Sequence, residues 1–224
     1  LIILLESVFY AVYYLPFFKI KHLEVKGLEN LPSSIIINKI ATNVFNNYFA
    51  QFLGFDNFFS WPSFLANISI AIQRADFEKN FFENKLTINI QERKKYGLFC
   101  FSERCFWFDD GGLIFLPSIS NKAAVIVIEK NDPEQTSDDI NLLGSRILPL
   151  ENFSYLKKIL EIVKENFVIK KISLSELFQE INIETDGLTL KFGTRFDPTA
   201  NLQAIEEIRK KEGLSKISYI DLRI

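Results

Sequence analysis

The stretch Lys85-Leu-Thr-Ile-Asn-Ile-Gln-Glu-Arg93 decides the fold of the first half of the chain. Its apolar residues Leu86, Ile88 and Ile90 alternate with polar ones. A period of two places them on one face, so the stretch predicts a β-strand with one buried side. Asn84, directly before it, is a typical turn residue. We therefore expect this strand to follow another strand closely in the chain.

The segments upstream of this strand complete a small module. Pro32, followed by two serines, is a helix-entry signal. The expected elements are a strand from Phe18 to Gly27, a helix that begins at Pro32, a helix from Pro62 to about Ile72, and strands at residues 75–83 and 85–93. The order β-α-α-β-β predicts an α+β module over residues 19–94.

The second half of the chain, residues 95–224, has a different pattern. Its expected strands are 98–101, 104–108, 113–116, 123–128, 168–174, 178–184, 188–192 and 216–224, and its expected helices are 153–167 and 199–212, ending at Gly213. Residues 131–139 are polar and turn-rich, which predicts a mobile surface loop. The pattern predicts a second α+β module with a mainly antiparallel sheet.

Both cysteines of the chain, Cys100 and Cys105, lie in one expected hairpin. If its turn is centred on residues 102–103, the two side chains lie opposite each other across the strands. An oxidising compartment would then close a disulfide. Two half-buried thiols are the alternative, and the sequence leaves both open. A zinc site is excluded because it needs four ligands and His22 is the only histidine.

Residues that carry chemistry are sparse. The net charge is -2 and the isoelectric point about 5.6, so no basic field favours nucleic acid. The sequence has no G-x-S-x-G motif, phosphate-binding loop or dinucleotide-binding motif. Asp109 and Asp110 precede Gly111 and Gly112, which indicates a turn more than a catalytic carboxylate pair. We therefore expect no catalytic residue, cofactor, metal or small-molecule substrate.

The N-terminal segment 1–18 is apolar, with Glu6 as its one charged residue. As a helix it would reach about 27 Å, close to the ~30 Å hydrocarbon core of a bilayer. Lys19 and Lys21 follow it as a basic flank. The segment predicts a transmembrane anchor, truncated because the chain contains no Met. A buried or surface helix is the alternative, which Glu6 favours.

Four motifs in order resemble the cell-division protein FtsQ (DivIB) family. They are residues 18–27 and 86–93, which resemble the first and last strands of its polypeptide-transport-associated (POTRA) domain, and residues 107–115 and 220–223, which resemble the first hairpin and terminal strand of its β-domain. The likeness covers the whole chain. It departs from the family in the Phe- and Asn-rich segment 45–59 and in the residues after Arg74.

The resemblance implies a non-enzymatic scaffold of the bacterial division machinery, anchored by a single pass in the cytoplasmic membrane with its bulk outside the cytoplasm. Such proteins bind division proteins of the FtsB and FtsL type. An edge strand presents backbone groups to which an extended partner can add. The implied partner-binding residues are Ser218, Tyr219, Ile220, Asp221, Leu222, Arg223 and Ile224.

Two alternatives to this interpretation stay open. If the last strand were central in its own sheet, both of its edges would already be paired and no partner strand could add to it. The POTRA-like module also occurs in components of outer-membrane assembly or secretion systems, which is the second functional hypothesis. For the division scaffold, we expect charged or Pro substitutions at Ile220 or Leu222 to abolish partner binding while the chain stays folded.

Overall fold

The chain folds into two units, Leu1–Arg93 and Lys94–Ile224, each built around its own β-sheet. The structure, a computed structural model, describes residues 3, 6–8, 10–11, 16–52, 56–57, 69–101, 104–118, 126–130, 142–175, 179–210 and 217–223. A three-stranded sheet and an eight-stranded sheet hold the eleven strands of these described residues, so the architecture is α+β and mostly sheet.

The first unit packs helices against a three-stranded sheet. Its elements are β1 (His22–Lys26), α1 (Ser33–Ile40) with a π-helical extension (Ala41–Phe45), α2 (Tyr48–Phe52), β2 (Ile72–Asn80) and β3 (Lys85–Glu92). The strand order is β1-β3-β2, with β1 parallel and β2 antiparallel to β3. The alternating apolar residues of β3 face Ile36 and Ile40 of α1 in one core.

The second helix expected in this unit, from Pro62 to about Ile72, is wrong at its C-terminal end. Residues 62–68 of the expected second helix lie outside the described part of the chain, but Ile72 begins β2, where it pairs with Glu92 of β3. Ile72 adopts the strand conformation because it gains a ladder partner there and a buried position in the small core.

Gly27 follows the last residue of β1 and has a φ of +83°. A Cβ at this position would overlap the carbonyl oxygen of Ile90, so the position requires glycine.

The carboxylate of Glu92 fastens the loop before α1 to the end of β3. It accepts hydrogen bonds from the backbone N–H groups of Glu29, Asn30 and Leu31, at 3.0, 3.0 and 2.9 Å, and from the Asn30 amide. Burial raises the pKa of Glu92, but these hydrogen bonds outweigh it and hold the pKa below its ordinary value. Arg93 donates from Nε to the carbonyl of Ile70 at 2.8 Å.

The second unit contains the larger sheet and, where the structure describes it, two helices. Its elements are β4 (Gly97–Phe101), β5 (Arg104–Phe108), β6 (Ile114–Ser118), β7 (Val127–Lys130), α3 (Leu150–Asn166), β8 (Ile169–Ser175), β9 (Glu180–Thr185), β10 (Thr189–Gly193), α4 (Thr199–Lys210) and β11 (Tyr219–Leu222). The strand order is β11-β10-β9-β8-β7-β4-β5-β6. The β4–β7, β7–β8 and β10–β11 pairs are parallel, so the sheet is mixed.

Helix α3 supplies one side of the second core. Its buried residues Phe153, Leu156, Leu160 and Val163 recur at spacings of three and four, which places them on one stripe. Phe153 meets Phe108 of β5 with ring centroids 5.8 Å apart, edge to face. Burial of each such side chain contributes about 1.5–3 kcal/mol, so this stripe secures the helix to the sheet.

The expected N-terminal transmembrane helix is wrong, and single-pass membrane anchoring is not supported. Among the described residues, with their gaps before Pro16, no helix has both the length and the apolarity that crossing a bilayer requires. At the end of the apolar run, Pro16–Phe18 form a 3-10 turn and Lys19 pairs in a bridge with Asn57.

Several other expectations lie outside the described residues. They concern the loop at residues 131–139, most of the strand expected at 123–128, and the helix end at Gly213. The described part of that strand is β7, which begins at Val127.

Candidate partner-binding edge

The last strand, β11, lies at one end of the eight-stranded order and pairs in parallel with β10. The register sets Tyr219 opposite Thr189 and Leu222 opposite Phe192. Of the implied binding residues, Tyr219, Ile220, Asp221 and Leu222 form the strand, Ser218 and Arg223 flank it, and Ile224 lies outside the described residues. The described strand is therefore an edge strand.

The backbone of β11 presents alternate residues to the open side. The carbonyl of Ser218 accepts a 3.1 Å hydrogen bond from the Thr189 N–H, so Ser218 faces β10. Successive residues of a strand point their N–H and C=O groups in opposite directions in the sheet plane. The backbone groups of Tyr219 and Asp221 therefore point away from β10, where an added strand can pair with them.

The side chains of β11 divide between core and solvent. Leu222 is 7% exposed and belongs to the core, and Ile220 packs against the same core. Tyr219 on the other face is 57% exposed. Substitution at Leu222 therefore disturbs the core as well as the edge, so Asp221, with an exposed side chain and outward backbone groups, is the better position for testing partner binding.

A charge cluster covers the exposed face beside the edge. Arg223 donates from Nε to Asp221 at 2.8 Å and from Nη1 to Glu180 of β9 at 2.6 Å. The hydrogen bond from Arg223 lowers the pKa of Asp221 to about 2. Lys191 of β10 lies 5.3 Å from the ring centre of Tyr219. These contacts fix the side chains that would flank an added strand.

Helix α4 holds the end of the edge strand. Asn201 donates from Nδ2 to the carbonyl of Leu222 at 2.7 Å. Sequence reasoning missed Asn201, Glu180 and Lys191 as part of this site. Local patterns identify their elements but not their neighbours, because the contacts depend on the parallel pairing of β10 with β11.

The opposite edge of the sheet is formed by β6, which carries Pro117. Proline has no N–H to donate, and on an edge strand it discourages pairing with another chain. Pro117 is exposed and pairs with Phe106 of β5 on its inner side. The two edges therefore differ, and β11 is the edge without a proline in its described residues.

The two cysteines form a disulfide across the β4–β5 hairpin. Cys100 and Cys105 are direct partners in the antiparallel register, with Cα atoms 4.1 Å apart. That is the closely spaced, non-hydrogen-bonded kind of pair. The structure thus selects the bridge from the two alternatives that the sequence left open. In the strand order, the bridged pair β4–β5 lies between β7 and the edge strand β6.

The second unit also contains an open cavity of about 420 Å³ at one end of its sheet. Its lining residues are Arg146, Ile147, Leu148, Pro149, Asn152, Ser175, Gln179 and Thr194. Its described lining offers hydroxyl, amide and guanidinium groups for hydrogen bonds, together with apolar contact.

The carboxylate of Asp109 serves the turn at Gly111 and Gly112. Its Oδ1 accepts hydrogen bonds from the N–H groups of Gly111 and Leu113, at 3.0 and 2.9 Å. This is the turn role that the sequence favoured for the Asp109–Asp110 pair. Across the residues that the structure describes, no three His, Cys, Asp or Glu side chains group as a metal site would require.

The most specific arrangement in the described structure is therefore the open edge of β11, with two outward backbone positions and a fixed charge cluster. An open strand edge is a surface to which an extended polypeptide can add by backbone pairing. No model of a known protein family matches the chain, and no curated protein matches it.

Proposed function

We propose that this chain is a non-enzymatic scaffold of the bacterial division machinery, similar to FtsQ (DivIB), which binds division proteins of the FtsB and FtsL type. The partner adds an extended segment to β11 as a ninth strand. Tyr219 and Asp221 offer the backbone groups, and the side chains around them set the specificity.

The observation that carries the proposal is the position of β11 at the end of the strand order, with backbone groups directed outward. A partner strand that uses both N–H and both C=O groups of Tyr219 and Asp221 makes up to four hydrogen bonds. At about 0.5–1.5 kcal/mol each, they contribute a useful share of a micromolar affinity, which corresponds to about 8 kcal/mol.

Two further features support the proposal. The described residues of the first unit run as a strand, helices and a hairpin, which supports the resemblance to a POTRA domain, although the second helix lies at Tyr48–Phe52 and not at the expected position. The disulfide between Cys100 and Cys105 is consistent with a compartment outside the cytoplasm, because cytosolic thiols are kept reduced.

The test is a binding measurement between the purified chain and the extracytoplasmic parts of the FtsB- and FtsL-type proteins from the same genome. We expect a saturable complex in which the amides of Tyr219 and Asp221 become protected from hydrogen exchange. A complex that leaves these two amides unprotected would refute the assigned edge, and the absence of any complex would refute the partner class.

A further inference from the structure

The cavity of about 420 Å³ in the second unit, here called the α3 cavity, lies at one end of the large sheet beside the start of α3. Ser175 is the last residue of β8, Thr194 directly follows β10, and both line the cavity. The parallel strands β7 and β8 have α3 between them in the chain. Where strands are connected in this way, ligands commonly bind outside their carboxyl ends. The volume lies within the range of about 300–1,000 Å³ that is typical of small-molecule sites.

Arg146 is the only charged residue of the described lining, and its position is fixed. Its backbone forms a bridge with Leu113, and its Nη1 donates to the carbonyl of Gly111 at 2.6 Å. Asp109, which also approaches Gly111, directs its Oδ1 to the N–H groups of Gly111 and Leu113. Among the described residues, the guanidinium therefore has a carbonyl as partner but no carboxylate. Its remaining N–H groups can bind a carboxylate through two parallel hydrogen bonds.

Two amide side chains also line the α3 cavity. Asn152 lies in the first turn of α3, and Gln179 directly precedes β9. Gln179 has a φ of +52°, and its carbonyl accepts hydrogen bonds from the N–H and the hydroxyl of Thr194, at 3.0 and 3.2 Å. These bonds hold its backbone in the left-handed region, which residues other than glycine rarely adopt. Within the part of the chain that the structure describes, neither side-chain amide has a hydrogen-bond partner.

The apolar wall of the α3 cavity consists of Ile147, Leu148 and Pro149, of which the first two are buried. The described lining thus combines one guanidinium, two neutral amides and an apolar wall. A carboxylate complements the guanidinium, and a peptide group complements an amide because each both donates and accepts hydrogen bonds. A small apolar side chain complements the wall. Inorganic phosphate would complement the guanidinium alone, since it has neither an amide group nor apolar surface.

We infer that the α3 cavity binds the free carboxyl end of a short peptide. Arg146 holds the terminal carboxylate, Asn152 and Gln179 hold the last peptide group, and the last side chain packs against the apolar wall. The inference is independent of the proposed division partner and of the β11 edge, and it adds a small ligand where the sequence predicted none.

The experiment compares two probes, N-acetyl-alanyl-alanine, which ends in a carboxylate, and its C-terminal amide, which has a similar shape but no charge. Each is titrated into the ¹⁵N-labelled full chain, and NMR follows the side-chain NH₂ signals of Asn152 and Gln179. Asn152→Asp adds a negative charge to the lining with little change of shape, and aspartate in the first turn of a helix is favourable, so this variant should fold. Ser154→Asp is the matched control, because Ser154 is exposed on the same helix and lies outside the described lining.

We expect the carboxylate probe to shift both NH₂ signals saturably and to bind about tenfold or more tightly than the amide, as one charge-assisted hydrogen bond gives. Asn152→Asp should weaken its binding by about tenfold or more, and Ser154→Asp by less than about threefold. Equal affinity for the two probes, shifts of neither signal, or equal losses in the two variants would overturn the inference. So would inorganic phosphate that binds as tightly as the carboxylate probe, which would indicate a general anion site.

Discussion

Asp221 lies opposite Lys191 in the parallel register of β11 and β10, and its backbone N–H points away from β10. One residue thus contributes to the edge in two separable ways. Its amide belongs to the open side of the strand, whereas its carboxylate is held by Arg223 on the exposed face. A substitution can remove one contribution and keep the other.

The core position of Leu222 predicts a loss of stability that has nothing to do with partner binding. Leu222→Ala should lower the free energy of unfolding of the second unit by about 2–5 kcal/mol, because a buried leucine leaves a cavity. Tyr219→Ala, on the exposed face, should cost no more than about 1 kcal/mol. Hydrogen exchange of the β8–β11 amides measures both. Equal effects of the two substitutions would contradict the assignment of faces.

The disulfide predicts a redox-dependent stability of the large sheet. Reduction of Cys100–Cys105 should lower the stability of the second unit by about 2 kcal/mol, as loop-closure entropy gives for a short loop. Urea unfolding with and without reductant measures the difference. The variant with both cysteines replaced by Ala should lose its response to reductant; a response that persists would contradict the bridge.

The Glu92 carboxylate predicts a pH-dependent contribution to the first unit. Its pKa is lowered on folding, so the contribution is complete above the ordinary value of 4.5 and is lost as pH falls through the lowered value. Glu92→Gln should destabilise the first unit by about 1–3 kcal/mol at pH 7. The difference from the wild-type chain should narrow in acid, as hydrogen exchange of β3 measures. A difference that is constant down to pH 3 would argue against this carboxylate.

The Asp221–Arg223 contact predicts an unusually acidic carboxyl group. Asp221 should titrate near pH 2, so its contribution is present above its ordinary pKa of 3.8 and is lost as pH falls towards about 2. In Arg223→Ala the pKa of Asp221 should rise towards 3.8. Carboxyl carbon NMR measures both titrations, and an unchanged pKa in the variant would assign the shift to another group.

Much of the local structure is predictable from sequence. Alternation in residues 86–90 identifies β3, and helical spacing from Phe153 to Val163 identifies α3. Both signals work because burial of one face imposes its period on the residues. The turn between the cysteines likewise predicts their register, since two short strands around a tight turn have few other pairings.

The remaining features depend on contacts that local patterns do not contain. The apolar composition of residues 1–18 predicted a membrane anchor, but composition alone does not predict the 3-10 turn that begins at Pro16. Ile72 has an apolar side chain that suits a helix end or a strand start, and its partner Glu92 decides between them. The charge cluster at the edge arises because β9, β10 and β11 lie side by side, so Glu180 meets a residue 43 positions later.

The most direct test of the account measures the affinity of the chain for the FtsB- and FtsL-type partners in two variants of one residue, Asp221→Pro and Asp221→Ala. Both lose the carboxylate, but only proline removes the outward N–H and places a ring on the open side. We predict that Asp221→Pro binds at least tenfold more weakly than Asp221→Ala, while hydrogen exchange of β8–β10 is the same in both. Equal affinities in two equally folded variants would contradict strand addition at β11.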